Sequence, residues 1–204
     1  VLDTTPIDLN LSFNVDGITE IPEGLFMNRT LNSVSISNEH PTGTYSIGAR
    51  AFRDTEITSN LTLGNGLTGI GEAAFMLEAL PSYDINVTIT FDVVGDAVIG
   101  LQAFFSRKIN KLSIQNTLGT YSIGAHAFYN TPIQDLDLNP GISNIGEAAF
   151  MMSELDTTPL DASLSFNVDG NTVVPRDVFL NRTLNSVSIS NEHPSGKYSV
   201  GANA

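Results

Sequence analysis

Short segments of alternating apolar and polar residues recur along the chain, and each one predicts a strand with one buried face. In LNSVSIS from Leu31 and INKLSIQ from Ile109, two apolar residues flank one polar residue, which is the period of two of a half-buried strand. The inward pairs predicted from this pattern are Leu11/Phe13, Val34/Ile36, Leu61/Leu63, Ile89/Phe91, Leu112/Ile114, Leu136/Leu138, Leu164/Phe166 and Val187/Ile189. We expect these strands to stack in parallel at about 4.8 Å, one from each repeat unit.

A recurrent phenylalanine marks the repeat unit. It occurs at Phe26, Phe52, Phe75, Phe104, Phe128, Phe150 and Phe179, at intervals of 22 to 29 residues. Five of the seven sites end the phrase IGxxAF, and the variants IPEGLF and VPRDVF end at the other two. The glycine suits a tight corner, the small residues suit one short helical turn, and we expect the phenylalanine to fill the core at that corner.

A longer repeat of 153 residues lies over the short one. Residues 2–51 and 155–204 are identical at 36 of 50 positions, which indicates a recent duplication. One unit cannot bury its apolar set alone, whereas stacked units bury a continuous core. Residues 1–204 are therefore expected to form a single right-handed solenoid of about eight turns, mainly β, with one parallel strand per turn and short helical or extended segments on the opposite side. Because the sequence stops at VGANA, where an eighth phenylalanine is due, we also expect a fragment of a longer repeat protein with apolar faces exposed at both ends.

The repeated IGxxAF phrase resembles that of the BspA-like leucine-rich repeats, and the resemblance covers essentially the whole chain. That family's unit is a strand, then I-G-x-x-A-F, then a small residue and a cysteine. The resemblance implies a leucine-rich-repeat solenoid in a secreted or surface-exposed protein of bacteria or protozoa, often adhesive toward host or microbial proteins. The chain departs from the family three residues after each phenylalanine, where it has Arg29, Thr55, Glu78, Arg107, Thr131, Ser153 and Arg182. We expect this flank to be more solvated than in the typical member.

The charge of the chain restricts the partners it can have. With 22 acidic and 9 basic residues the net charge is −13, which argues against nucleic acid and against an anionic membrane surface. No apolar run approaches the 18 residues of a membrane span. The chain has no cysteine, so disulfides and thiolate metal sites are excluded.

Candidate catalytic groups are few. His40 and His193 are copies of one position in two NEHP loops, 153 residues apart, and His126 is the third histidine. No serine lies near a His–Asp pair in the sequence, and no HExxH, GxSxG or glycine-rich phosphate loop occurs. The NVDG phrases lack the alternation and the distal glutamate of a calcium loop, so a turn is favoured over a calcium site. We predict no catalytic residue, no cofactor and no metal, and therefore no enzyme.

The polar residues between the inward pairs form the candidate binding face. Its residues are Ser35, Thr62, Thr90, Ser113, Asp137, Ser165 and Ser188, with Ser12 extending the column. The next outward column is Asn14, Ser37, Gly64, Asp92, Gln115, Asn139, Asn167 and Ser190. Short polar side chains tolerate stacking at strand spacing, which we favour as their role. The alternative is a flat face that docks a protein or a glycan, although it has few of the aromatic or arginine anchors of strong interfaces.

A second column follows each phenylalanine and consists of Met27, Arg53, Met76, Phe105, Tyr129, Met151 and Leu180. We expect it to complete the core at the corner. If exposed, it would form an apolar stripe suited to partner binding or lateral assembly.

The sequence thus favours a non-catalytic, extracellular or cell-surface binding and adhesion module. Its partners would be host or microbial surface or matrix proteins, or glycans. The alternative is a structural spacer or self-assembling filament segment of a large extracellular repeat protein, with another copy as the partner. The identity of residues 2–51 and 155–204 at 36 of 50 positions favours this alternative somewhat, since a specific binding site need not be copied.

Overall fold

The computed structural model describes residues 6–138 and 140–204. This part of the chain contains seventeen strands and no helix. The strands are β1 Ile7–Phe13, β2 Ile18–Ile21, β3 Thr30–Asn38, β4 Thr44–Ile47, β5 Glu56–Ile57, β6 Asn60–Leu63, β7 Leu67–Ile70, β8 Ile85–Phe91, β9 Asp96–Ile99, β10 Ile109–Asn116, β11 Thr120–Ile123, β12 Ile133–Leu138, β13 Ile142–Ile145, β14 Asp156–Phe166, β15 Asn171–Val174, β16 Arg182–Asn191 and β17 Lys197–Val200. Asn139, predicted in the second polar column, lies outside the described residues.

The strands wind into eight coils, each with a long strand, a corner loop, a short strand and a turn segment. The long strands β1, β3, β6, β8, β10 and β12 form one parallel sheet, here called sheet A, and β5 pairs with β3. The short strands β2, β4, β7, β9, β11 and β13 form a second parallel sheet, sheet B. In coils 7 and 8, β14 lies against β12 and pairs with β16, while β15 pairs with β17.

The predicted parallel solenoid of about eight turns is confirmed, but each coil has two strands where we predicted one. The second strand comes from phrases such as TYSI and DAVI, which precede the corner glycine. Tyr45 and Ile47 of β4 are buried while Thr44 and Ser46 are half-buried. An alternation of only four residues was too short to stand out as a strand in the sequence.

The predicted strand register was wrong by two residues in coils 1, 4 and 7. Val34 pairs with Leu9 rather than Leu11, and Leu61 pairs with Val87 rather than Ile89. The strands of coils 1, 4 and 7 carry three inward apolar residues, and a shift of two keeps every side chain on its face. The third inward position is occupied by Phe13, Phe91 and Phe166.

The side opposite sheet A contains turn segments instead of the helical turn that we predicted. In coil 2 the N–H groups of Ala51 and Arg53 bond carbonyls three residues back, as in β-turns. Arg50 and Asp54 have φ near +55°, so left-handed residues recur four positions apart and interrupt a helix after three residues. The N–H groups of Arg50, Phe52 and Asp54 then donate to carbonyls of coil 3 at 2.8–2.9 Å. Equivalent bonds run from each coil to the next as far as coil 8, always from N–H toward the later coil.

The seven repeat phenylalanines form one stack through the core. Successive ring centroids are 4.8 to 5.5 Å apart and the ring planes differ by at most 15°. The rings from Phe52 to Phe150 are fully buried. The prediction that these residues fill the core at each corner is confirmed.

Gly146 illustrates why the repeated corner position excludes a side chain. A Cβ atom there would lie 2.2 Å from the backbone nitrogen of Ala125 and 2.5 Å from the carbonyl carbon of Gly124. The Gly146→Ala variant is therefore expected to lose about 1–3 kcal/mol of unfolding free energy in urea titrations, because backbone atoms of two coils must move apart. Gly69→Ala is the control, since its Cβ meets nothing closer than 3.4 Å. Equal losses in both variants would contradict the close-packing explanation.

Both end coils expose apolar side chains that are buried in their copies, as predicted. In coil 8, Val187 and Tyr198 are 49% and 46% exposed. Their copies in coil 2, Val34 and Tyr45, are 1% and 0% exposed because coil 3 covers them. At the other end, Ile7 is 63% exposed, whereas its copy in coil 7, Leu160, is 1% exposed.

Candidate functional site

The predicted binding face lies on the outer side of sheet A, but its members do not form one row. Ser35 pairs with Thr62, and Ser113 pairs with Asp137. Thr88 stands between these two pairs where Thr90 was predicted. Thr90 pairs with Gln115 in the adjacent row. Ser165 likewise pairs with Ser190, while Ser188 pairs with Ser163, so Thr90 and Ser165 were both misplaced by two residues.

Two serines of this face are buried and hydrogen-bonded within the chain. Ser113 and Ser165 are buried, with exposed fractions of 6% and 8%. Their hydroxyl groups lie 3.4 Å from the carboxylate of Asp137 and 3.2 Å from that of Glu192. On the same side of the solenoid, the side-chain amides of Asn60, Asn86 and Asn110 form a hydrogen-bonded ladder across three coils. The contacts favour side-chain stacking over docking as the role of these residues.

The flank three residues after each phenylalanine is buried at four of its seven positions, so the expectation of a solvated flank was wrong. Thr55, Arg107, Thr131 and Arg182 are 0%, 1%, 0% and 8% exposed. The Thr131 hydroxyl donates to the carbonyl of Phe104 in the preceding coil at 2.7 Å. These residues connect coils by hydrogen bonds where the family has cysteine.

Arg107 connects three coils. Its Nε donates to the carbonyl of Phe75 in coil 3 at 2.5 Å, and Nη2 donates to the carbonyl of Thr55 in coil 2 at 2.8 Å. In coil 2 the N–H of Thr55 bonds the carbonyl of Phe52. In coil 3 the equivalent N–H belongs to Glu78 and bonds the side chain of Asp54. The guanidinium therefore supplies the donor that the coil 3 turn does not.

Arg182 repeats this arrangement three coils later. Its Nε donates to the carbonyl of Phe150 and its Nη2 to that of Thr131, while Nη1 pairs with Asp156 at 3.2 Å. Burial lowers the pKa of both guanidinium groups to about 10. Since this value is well above neutrality, both side chains carry their charge at pH 7 and act as strong donors.

The corner loops of coils 7 and 8 bring together a histidine, an acidic side chain and a hydroxyl group. Ser195 Oγ lies 2.9 Å from Nδ1 of His193 and donates to the carboxylate of Asp169. Asp169 lies 26 residues from Ser195 in the sequence, and the winding of successive coils brings the three groups together. In a catalytic triad the acid and the serine contact opposite ring nitrogens, whereas here both lie on the Nδ1 side. The hydrogen bonds of this cluster hold the corner loop of coil 8 against that of coil 7.

The copy of this cluster in coil 2 comprises His40, Thr42 and Asp16. Thr42 donates its hydroxyl to the carboxylate of Asp16 at 2.6 Å, and His40 Nδ1 accepts the N–H of Thr42 at 3.3 Å. The hydrogen bond from Thr42, and next the nearby His40, lower the pKa of Asp16. His126 lies apart on the turn segments, where its ring is 5.4 Å from that of Tyr129.

A groove of about 400 Å³ opens beside the coil 2 cluster. It lies between the loop 39–43 and the shorter corner loops of coils 3 to 5. We call it the corner groove. Its lining residues are Asn38, Glu39, His40, Pro41, Thr42, Gly43, Thr44, Asn65, Gly66, Thr68, Asp92, Val93, Val94 and Leu118.

Loop length explains the groove. Five residues join β3 to β4 in coil 2, but three join β6 to β7 in coil 3 and β10 to β11 in coil 5. The longer loop is held by the buried side chain of Asn38, whose Oδ1 accepts the N–H groups of Val15 and His40. In the sequence, SNEHPTGT of coil 2 is two residues longer than QNTLGT of coil 5. This difference in length is the signal that could have indicated a concave surface.

The column that follows each phenylalanine is half-buried at all seven positions. Phe105 and Tyr129 stack on each other at 5.2 Å on the outer side of the turn segments. The column therefore contributes to the packing at the corner and leaves part of each side chain on the surface.

Within residues 6–138 and 140–204, no group of three or more His, Asp or Glu side chains is placed to hold a metal ion. The same residues include no helix with the length and apolarity needed to cross a bilayer.

Comparison with known proteins identifies the repeat. The family model described as the BspA type leucine rich repeat region matches residues 19–94 and 94–199. No curated protein and no solved structure gives a match. The six matched copies together contain all seven phenylalanines of the stack. The chain therefore belongs to the BspA-type leucine-rich repeat family.

Proposed function

We propose that the chain is a non-catalytic binding module of an extracellular or cell-surface protein, which presents the side of a solenoid to a protein or glycan partner. The observation that supports this most directly is the corner groove. It is concave, it combines polar and aliphatic side chains, and its volume lies in the range of ligand sites. The repeat family is consistent with an interaction surface.

The geometry of the histidine loops supports binding over catalysis. In the corner groove, His40 Nδ1 accepts the N–H of Thr42 and lies 3.1 Å from the Thr42 hydroxyl oxygen. The Thr42 hydroxyl donates to Asp16. The hydroxyl is thus directed at a carboxylate that lies on the same Nδ1 side of the ring, whereas the acid and the nucleophile of a catalytic triad contact opposite ring nitrogens.

A binding screen tests the proposal. The purified protein, immobilised on a sensor, would be exposed to a panel of extracellular matrix proteins and surface glycans. We expect saturable binding to at least one of them, which weakens when the loop 39–43 is shortened to the three-residue form of coil 5. The matched control is the same shortening of loop 192–196 in coil 8. Absence of binding across the panel would count against the binding module.

The alternative, a structural spacer or filament segment, is favoured by the duplication of purely structural contacts. Asp8 accepts hydrogen bonds from Asn32 and Ser33, and Asp161 accepts the same pair from the copies of those residues. These bonds lower the pKa of both carboxyl groups. Sedimentation and electron microscopy would detect regular end-to-end or lateral polymers, which this alternative requires and the binding module does not.

A further inference from the structure

We propose that the corner groove binds a protein segment in which a lysine or arginine side chain lies next to an aliphatic side chain. This inference rests on the proposed function and specifies its site and its partner class. It depends on three features of the groove, which are its charge, its exposed aliphatic end and its polar groups.

The charge of the groove selects a cation. Glu39 and Asp92 are its two carboxylates, and its lining residues include no lysine or arginine. Asp92 is held in place because its Oδ1 accepts the N–H of Gly66 at 2.8 Å. The whole chain adds a net charge of −13, which would speed the encounter with a basic segment.

The far end of the groove selects an aliphatic side chain. Val94 and Leu118, from coils 4 and 5, are 90% and 64% exposed. These coils are covered on both sides by other coils, so the exposure is not an effect of an uncovered end. Burying both side chains against an aliphatic partner would remove their apolar surface from water, which favours binding.

A peptide fits these features better than a glycan does. The hydroxyl groups of a sugar placed on Val94 and Leu118 would lose water without finding hydrogen-bond partners there. A peptide backbone, by contrast, has carbonyls for the donors of the groove. Since Nδ1 of His40 accepts the N–H of Thr42, the proton of the neutral ring lies on Nε2 and can be donated to such a carbonyl.

The chain provides its own control. Loop 192–196 of coil 8 repeats the histidine cluster of coil 2, including the contacts of His193 with Ser195 and Asp169. Coils 4 and 5 place Val94 and Leu118 beyond the coil 2 loop, whereas no described coil follows coil 8. Comparing changes in coil 2 with changes in coil 8 therefore separates the contribution of the loop itself to binding from that of the groove.

The test uses the blocked tetrapeptide Gly-Lys-Leu-Gly and NMR spectra of the intact protein. We expect saturable chemical-shift changes at amides of residues 39–44, 66–68, 92–94 and 118. Asp92→Asn, which keeps an acceptor for the Gly66 N–H, is expected to weaken binding about fivefold, the effect of a partly exposed ion pair. Val94→Ser is expected to weaken it about threefold or more. Glu192→Gln in coil 8 is the control and should leave the affinity unchanged.

Peptides with Glu in place of Lys, or Ser in place of Leu, complete the experiment. Weaker binding of both would support the inference. Equal binding of all three peptides, shifts centred on coil 8, or no shifts at the solubility limit of the peptide would overturn it. Preference of the groove for a glycan over the peptide in the binding screen would also overturn it, yet leave the binding module intact. Failure of the binding module itself would appear as no partner in that screen.

Discussion

Replacing Arg107 with alanine is expected to lower the free energy of unfolding by about 3–5 kcal/mol, because it removes a buried charged donor from two carbonyls. Arg107 is 1% exposed. Without it, the carbonyl of Phe75 loses its donor and that of Thr55 loses a charged hydrogen bond. The space of the guanidinium would also become a cavity between coils 2 and 4.

Urea unfolding followed by circular dichroism measures this loss. Arg107→Lys should recover only part of the stability, because an ammonium group cannot reproduce the fork that reaches two carbonyls. Arg176→Ala is the matched control, since its side chain is 64% exposed and pairs with Glu147 at the surface. That control should change stability by about 0.5 kcal/mol or less. Similar values for Arg107→Ala and Arg176→Ala would show that the buried arginine does not hold the coils together.

The second large effect is expected for Phe104→Ala, which should cost about 3–5 kcal/mol. Phe104 is fully buried and stacks between Phe75 at 5.2 Å and Phe128 at 5.0 Å. Removing its ring leaves a void in the middle of the stack, and the neighbouring coils cannot close it because their backbones are fixed by hydrogen bonds.

Phe105→Ala provides the comparison at the adjacent position. Phe105 is half-buried on the outer side of the turn segment and stacks on one ring, that of Tyr129. We expect it to cost clearly less than Phe104→Ala in the same thermal and urea melts. Equal costs, or an unchanged melting temperature for Phe104→Ala, would contradict the role of the stack as the core of the turn segments.

The sequence predicted the repeat, the parallel strands and the phenylalanine stack, because each follows from residues that recur at regular intervals. It was insufficient for the register of coils 1, 4 and 7, since Leu9, Leu11 and Phe13 all satisfy the same alternation. The turn segments were also mistaken for helix. Their left-handed residues, such as Arg50 and Asp54, accompany hydrogen bonds to the next coil, and local propensity does not encode these bonds.

The candidate site was harder to predict because it depends on contacts between coils. Arg107 lies 52 residues from Thr55, and nothing in either phrase indicates that they meet. The corner groove depends on loop 39–43 being longer than loop 117–119. So small a difference in length has little effect on the composition of the chain. The polar face of sheet A was visible in the sequence, but the sequence did not show that Ser113 and Ser165 are buried and bonded to Asp137 and Glu192.

The hydrogen bonds of the turn segments also give the solenoid an electrical direction. Up to three N–H groups in each coil donate to the following coil, and one corner glycine N–H donates backward. The peptide dipoles of this column therefore add along the solenoid axis, as they do in a helix. The coil 1 end carries partial negative charge from carbonyls, and the coil 8 end carries partial positive charge from N–H groups. A charged surface or an applied field would thus orient the two ends of the solenoid differently, even though coils 1 and 2 are nearly identical in sequence to coils 7 and 8.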